Sequence, residues 1–257
     1  VRDLQIHQGS NMNKVALVTG AAGGVGRAVV DKLAAQGWQL IVTSRSAEHL
    51  ISAFGDKHLQ VAADCATVTG AGQILQAAKE HQLLPTALAH CVGNIRLGAM
   101  HRMSEADFND CLNANLVSAF HTLAAYVGAL REARSPGAAV LVSSAAARIG
   151  TPNHEAVAAA KAGLEGLVRG AAATYAANGI RVNAVAPGIM ATPAAAGLIS
   201  SPTAHEAAAR QYPLPGIGSP DELAELMVWL LSDSAARVTG QVWSLDGGFS
   251  SIRPLVK

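Results

Sequence analysis

Aromatic side chains make up only 4% of the 257 residues, and the formal net charge is +1. No basic block interrupts the chain. A protein with neither a cationic face nor a stacking platform is a poor partner for nucleic acid, and that class is set aside. Apolar runs are strand-length or broken by glycine and polar residues, so no membrane span is expected. A charged segment leading into an apolar one is missing at the start, so no secretory signal is expected. The three cysteines, Cys65, Cys91 and Cys111, form no C-x-x-C pair. They read as buried reduced thiols, and the protein as cytoplasmic. Nine histidines are scattered without a spacing such as H-E-x-x-H, so no metal site is expected. Tyrosine is scarce too, at Tyr126, Tyr175 and Tyr212 alone.

What is present is a hydrophobic half, enough for a sizeable core, arranged as alternating strand and helix patterns. Residues 1–11 are polar and patternless and are expected to be a disordered extension or an expression remnant. From Met12 a single domain is expected to run to residue 257. Strands are predicted over Lys14–Thr19, Gln39–Thr43, Leu59–Ala63, Ala87–Cys91, Ala138–Ser143, Arg181–Val185 and Gln241–Leu245. Helices are predicted over Gly24–Gln36, Val68–His81, Ser104 to about Arg131, Glu155–Ala177 and Asp221–Leu231. Residues 189–218, rich in Ala, Ser, Pro and Gly, read as a mobile lid on the substrate side. Seven strands alternating with helices imply an α/β, Rossmann-type, doubly wound parallel sheet.

Between the first strand and first helix lies Thr19-Gly20-Ala21-Ala22-Gly23-Gly24-Val25-Gly26. Glycines allow a tight turn and close approach of backbone to phosphate. The helix N-terminus then offers free N–H groups and a positive dipole end. This reads as a dinucleotide cradle of Gly20, Gly24, Val25 and Gly26.

The T-G-x-x-x-G-x-G spacing resembles the classical short-chain dehydrogenase/reductase family. Further motifs agree in order: Asn115-Leu116, Leu141-Val142-Ser143-Ser144, Lys161, Arg181 to Gly188, Val238-Thr239-Gly240-Gln241 and Asp246-Gly247-Gly248. The resemblance runs from about Asn13 to Ser250, with the β-ketoacyl-carrier-protein reductase type the nearest look-alike. It implies a nicotinamide cofactor, with Asp64 beside the adenine, Gly93 along the dinucleotide, Pro187 and Gly188 at the nicotinamide, and Ile189 and Thr192 near its carboxamide. The second strand ends Thr43-Ser44-Arg45 with no carboxylate to accept a ribose 2′-hydroxyl. Arg45 suits a 2′-phosphate, so NADP(H) is expected over NAD(H), although Gly23 stands where the family often has a basic residue. The resemblance also implies a homodimer or homotetramer, which the Ala-rich helices Phe108–Arg131 and Glu155–Ala177 would suit.

In the family, serine and tyrosine polarise a substrate carbonyl, lysine holds the ribose and lowers the tyrosine's pKa, and asparagine orders a water relay. Ser144, Lys161 and Asn115 stand at those positions. The tyrosine position is Val157, which cannot donate a proton. His154 precedes Val157 by three residues and Lys161 by seven. If helical geometry reaches back to it, the three share a face, and histidine is a capable acid near neutral pH. It either moves the proton, lines the pocket, or stands aside. Tyr212 is the other candidate, if the lid closes. Enoyl reductases of the superfamily carry their tyrosine seven residues before the lysine, which makes enoyl reduction a further option.

Other departures are His90-Cys91-Val92-Gly93 for N-N-A-G, where His90 is either a satisfied buried residue or a cofactor contact, and Pro213 to Gly218, which lacks the family's arginine. Arg96 and Arg148 are either solvated or attract an anionic substrate. Ile149, Met190 and Leu198 are expected as an apolar wall. The reading is an NADP(H)-dependent oxidoreductase of a carbonyl/alcohol pair with an atypical proton donor. The alternative is a catalytically inactive NADP(H)-binding sensor or subunit.

Overall fold

The computed structural model describes residues 14–253, so the expected extension over 1–11 lies outside the described residues. Seven strands form one sheet. They are β1 (Val15–Thr19), β2 (Gln39–Ser44), β3 (Leu59–Ala62), β4 (Ala87–His90), β5 (Gly137–Val142), β6 (Ile180–Pro187) and β7 (Val242–Leu245). Every pairing is parallel, in the order β3-β2-β1-β4-β5-β6-β7. The helices are α1 (Gly24–Ala35), α2 (Ala47–Phe54), α3 (Val68–Glu80), α4 (Glu105–Leu112), α5 (Ser118–Ala133), α6 (Glu155–Tyr175), α7 (Pro202–Ala209) and α8 (Pro220–Leu231). None is long and apolar enough to cross a membrane among the described residues.

Side chains on a strand alternate between faces, and both faces here are covered by helices. Ala16, Val18, Val42, Ala89 and Val140 pack with Val29, Leu33 and Leu50 of α1 and α2 and with Leu223 and Met227 of α8. Val15, Leu17, Ile41, Leu88 and Leu141 pack on the opposite side with Ile74 of α3, Leu123 and Leu130 of α5, and Leu164 and Val168 of α6. Burial on both faces explains why these strands read as continuous apolar runs rather than as an apolar/polar alternation.

The sheet order reverses between β1 and β4, which opens a crevice at their carboxyl ends. Two local departures from the predicted elements matter. The short helix α2 was not expected; Ser46 caps it by accepting from His49 N–H at 3.2 Å. The helix predicted from Ser104 to Arg131 is two helices, α4 and α5, joined by a π-helical turn over Asn113–Val117. Such turns concentrate at functional sites, and this one carries Asn115.

His90 does not contact the cofactor cleft; it is the satisfied buried residue of the two alternatives. Ser118 donates to the Ala114 carbonyl at 2.7 Å, so it accepts from His90 Nε2–H at 3.2 Å. Thr19 Oγ1 then donates to His90 Nδ1 at 2.8 Å. The chain ties β1, β4 and α5 together with a neutral imidazole. Burial pushes the His90 pKa down to about 3 from 6.5. A depressed folded pKa gives stability that is present above pH 6.5 and lost as pH falls toward 3, because the unfolded chain takes up the proton first. His90→Gln is expected to flatten the acid limb of a stability-versus-pH curve between those values. An unchanged limb in urea melts would place the acid sensitivity elsewhere.

Candidate active site

The glycine loop follows β1 at the carboxyl end of the sheet, where the crevice opens. Gly20 sits at φ +64°, and a Cβ there would lie 2.9 Å from the Cys91 carbonyl carbon at the end of β4. A Cβ on Gly26 would lie 2.2 Å from Gly20 O, and one on Gly24 would lie 2.9 Å from Thr192 Cγ2. Backbone approach therefore requires glycine at 20 and 26, and at 24 a Cβ would press on the Thr192 side chain. The first helical bond of α1 is Arg27 N–H to Gly23 O, so the N–H groups of Gly24, Val25 and Gly26 have no acceptor among the described residues. No side chain caps this end and no acidic residue sits in the first turn. An uncapped helix N-terminus facing a crevice fits a pyrophosphate.

Two further positions flank the cradle. Arg45 is exposed at the end of β2 and makes no ion pair among the described residues. Asp64, at the end of β3, uses Oδ1 to accept from Ala66 N–H at 2.9 Å and leaves Oδ2 open.

Beside the cradle is a cavity of about 540 Å³ lined by Gly93, Asn115, Ser144, His154, Val157, Lys161, Pro187, Gly188, Ile189 and Thr192, among others. The structure thus gathers the residues singled out from distant parts of the chain. Ser144 leaves β5 in extended geometry, and its Oγ accepts from Ala146 N–H at 3.2 Å. That bond leaves the Ser144 proton free to donate. Val157 and Lys161 lie one turn apart on α6. Lys161 is 6% exposed and donates to the Val142 carbonyl at 2.7 Å. No carboxylate pairs with it among the described residues, and burial lowers its pKa to about 8. Val157 packs with Cys111 and Ala156.

Asn115 Nδ2 donates to Cys111 O at 2.9 Å and to Asn94 O at 3.1 Å, while its buried Oδ1 accepts nothing from the described residues. A Cβ on Gly93 would lie 2.6 Å from that oxygen and 3.3 Å from Lys161 Nζ. The bare glycine leaves open the space where an acceptor and an ammonium converge. With the uncapped helix, this orphaned acceptor makes the residue set a fit for a dinucleotide.

His154 is not within α6 but caps it, at φ −104°, ψ 15°. Asn153 before it adopts φ +63°, a conformation asparagine tolerates, and this bends the chain into the helix. His154 Nδ1 lies 2.8 Å from the Pro152 carbonyl. A carbonyl only accepts, so Nδ1 carries the proton and Nε2 is left for exchange.

Arg148 is not available to an anionic substrate. It bonds Glu165 Oε1 at 3.2 Å, which also accepts from Ser143 at 2.9 Å. Arg96 is held by Asp110 at 2.8 Å. Of the expected apolar wall, Met190 and Leu198 line the cavity and Ile149 does not. Sequence reasoning passed over Asn94, which orients Asn115, and Phe249 at the mouth. It also left Tyr212 in a loose segment, yet Tyr212 lines the wall. The neck of that segment is closed by a Met190–Gly218 bridge, and Leu214 N–H reaches Gly247 O at 2.9 Å. The glycine at 188, against which the Tyr212 ring lies, was the available signal.

A family model described as Enoyl-(Acyl carrier protein) reductase matches residues 20–250. The chain belongs to the short-chain dehydrogenase/reductase family. It is 32% identical over 95% of its length to 98% of the A-factor type gamma-butyrolactone 1′-reductase (1S-forming) of Streptomyces virginiae. It is 34% identical to the 3-oxoacyl-(acyl-carrier-protein) reductase of Thermotoga maritima, over 91% of this chain and 97% of that one. Among solved structures it resembles levodione reductase, with a TM-score of 0.87 and 29% identity over 93% of this chain and 98% of that one. It also resembles a variant of actinorhodin polyketide ketoreductase with NADPH, with a TM-score of 0.89 and 25% identity over 93% and 98% of the two chains. The family membership makes this chain a short-chain oxidoreductase by descent, and neighbours solved with NADP or NADPH support NAD(P) binding.

Proposed function

We propose that the protein is an NADP(H)-dependent oxidoreductase acting on a carbonyl/alcohol pair, with His154 in place of the tyrosine as proton donor. The observation that carries this reading is the convergence of Ser144, Lys161 and His154 on one cavity beside the glycine cradle. Arg45, exposed and without a carboxylate partner, supports NADP(H) over NAD(H), since a guanidinium pairs well with phosphate. When bound, the nicotinamide supplies or accepts the hydride. The remaining work falls to the chain. The Gly24, Val25 and Gly26 N–H groups would hold the pyrophosphate, and Lys161 would hold the ribose.

Ser144 donates its free proton to the substrate oxygen and stabilises the charge that develops there. The His154 imidazolium gives that oxygen its proton from Nε2. The Nδ1–H bond to Pro152 O is unchanged by this transfer, so the product imidazole is already the correct tautomer and the ring need not move. In the alcohol-oxidising direction the neutral ring accepts the proton at the same Nε2. The exposed Phe108 and Phe120, at 38% and 52%, support pairing of subunits through α4 and α5.

Replacing a positioned general acid commonly costs 10²–10⁴-fold. Ser144→Ala and His154→Gln are each expected to lower NADPH consumption with carbonyl substrates by at least about 100-fold, with NADPH affinity retained. Full turnover in His154→Gln would remove histidine from the mechanism. Val157, an alkyl group at the acid's position, favours one second reading: a catalytically inactive NADP(H)-binding sensor or subunit. The wild type would then bind NADPH tightly and turn over nothing in a broad carbonyl panel.

A further inference from the structure

Tyr212 is the one phenol in the cavity wall, and its hydrogen bonding is half complete. Its oxygen accepts from Ile189 N–H at 2.7 Å. Its own proton has no acceptor among the described residues. The ring is fixed on two sides. It lies against Gly188, where a Cβ would come within 2.6 Å of Cε1, and it packs on Phe249 at 5.3 Å between centroids. The chain just beyond it is pinned by Leu214 N–H to Gly247 O. Ala194, Ala195, Leu198 and Ala208 in the same cavity wall offer no side-chain acceptor, and neither Thr192 nor Gln211, which also line it, is bonded to the hydroxyl. A hydroxyl held by its oxygen, with its proton unshared among the described residues, is a donor available to a ligand oxygen in the cavity.

We propose that Tyr212 is a specificity-determining residue whose O–H donates to a second oxygen of the carbonyl substrate, beyond the one that Ser144 polarises. The assignment rests on the oxidoreductase reading above. Both hydroxyls line the same cavity. Ser144 follows the end of β5, whose last residue Val142 pairs with Val185 of β6. The Tyr212 ring covers Gly188, the residue after β6. A molecule with two oxygens a few bonds apart, such as a 3-oxo ester, spans both hydroxyls, and a simple ketone reaches one. Burial raises the Tyr212 pKa above the ordinary phenol value, so the donor keeps its proton at neutral pH.

The test compares wild type with Tyr212→Phe, which keeps the ring on Gly188 and Phe249. NADPH affinity is read by fluorescence, and kinetics are read with ethyl acetoacetate and with 2-pentanone. The expected result is unchanged NADPH affinity, a KM for ethyl acetoacetate raised about tenfold, as loss of one buried hydrogen bond implies, and an unaltered KM for 2-pentanone. Equal KM changes for the two probes, or none, overturn the assignment. So does a tenfold change in NADPH affinity, which would give the hydroxyl to the dinucleotide. If neither probe turns over, the thermal shift produced by ethyl acetoacetate on the NADPH complex decides: a shift equal in both proteins, or absent, overturns it, and a larger shift in wild type supports it. Failure of the wild type to bind NADPH refutes the oxidoreductase reading itself, and this assignment with it.

Discussion

Lys161→Met is expected to yield a more stable protein that no longer consumes NADPH. The ammonium is buried, 6% exposed, with one carbonyl partner at 2.7 Å and no carboxylate among the described residues. Its pKa falls to about 8 from 10.5 because burial disfavours the charged form. At pH 7 the group is charged in both states, and holding that charge inside costs the fold about 3 kcal/mol at roughly 1.4 kcal/mol per pH unit. As pH rises from 8 to 10.5 the folded protein has released the proton while the unfolded chain keeps it, so wild-type stability climbs through that window. Methionine fills a similar volume without charge. A net gain of about 1–2 kcal/mol at pH 7 is expected, after the loss of the Val142 bond. The alkaline climb should vanish with it. Turnover should fall by at least about 100-fold, because the ribose and the reacting carbonyl lose their alignment. Urea melts across pH 7 to 10.5 and an NADPH assay check both halves. A climb that persists in Lys161→Met would mean that another group carries it.

Gly26→Ala is expected to damage both fold and cofactor site. The new methyl would lie 2.2 Å from Gly20 O and 2.8 Å from Ala21 Cα, both backbone atoms. Backbone cannot rotate aside as a side chain can, so loop and helix must separate. Overpacking of this kind costs about 3 kcal/mol or more. The N–H groups proposed to hold the pyrophosphate move with the helix, and NADPH affinity should drop at least about tenfold, one hydrogen bond's worth. Gly72→Ala on α3 is the control. Nothing lies within 4 Å of its added Cβ, and alanine there should stabilise by about 0.5–1 kcal/mol. Equal behaviour of the two variants in thermal melts and NADPH titrations would show that helix propensity, not the cradle, governs position 26.

The inner strands β1, β2, β4 and β5 were readable because both faces of the sheet are buried there, which turns each into an apolar run bounded by polar or glycine residues. Ala47–Phe54 was missed because a helix of eight residues barely exceeds the two turns that periodicity needs. The π-turn at Asn113–Val117 was invisible for a different reason. It preserves the helical pattern on either side and alters only which carbonyl each N–H meets. The fates of Arg96 and Arg148 were likewise not local. An arginine's availability depends on a carboxylate elsewhere, here Asp110 and Glu165.

The chain by itself determined the α/β alternation, the glycine cradle, the family, and the absence of a tyrosine at 157, because these are properties of residue identity and spacing along one dimension. Only the tertiary structure decided which proton donors face the cavity. His154 has its Nδ1 engaged by Pro152 O and its Nε2 open, and Tyr212 is drawn onto Gly188 with its proton unshared. Which proton is free depends on where every neighbouring acceptor sits in space, and spacing along the chain does not encode that.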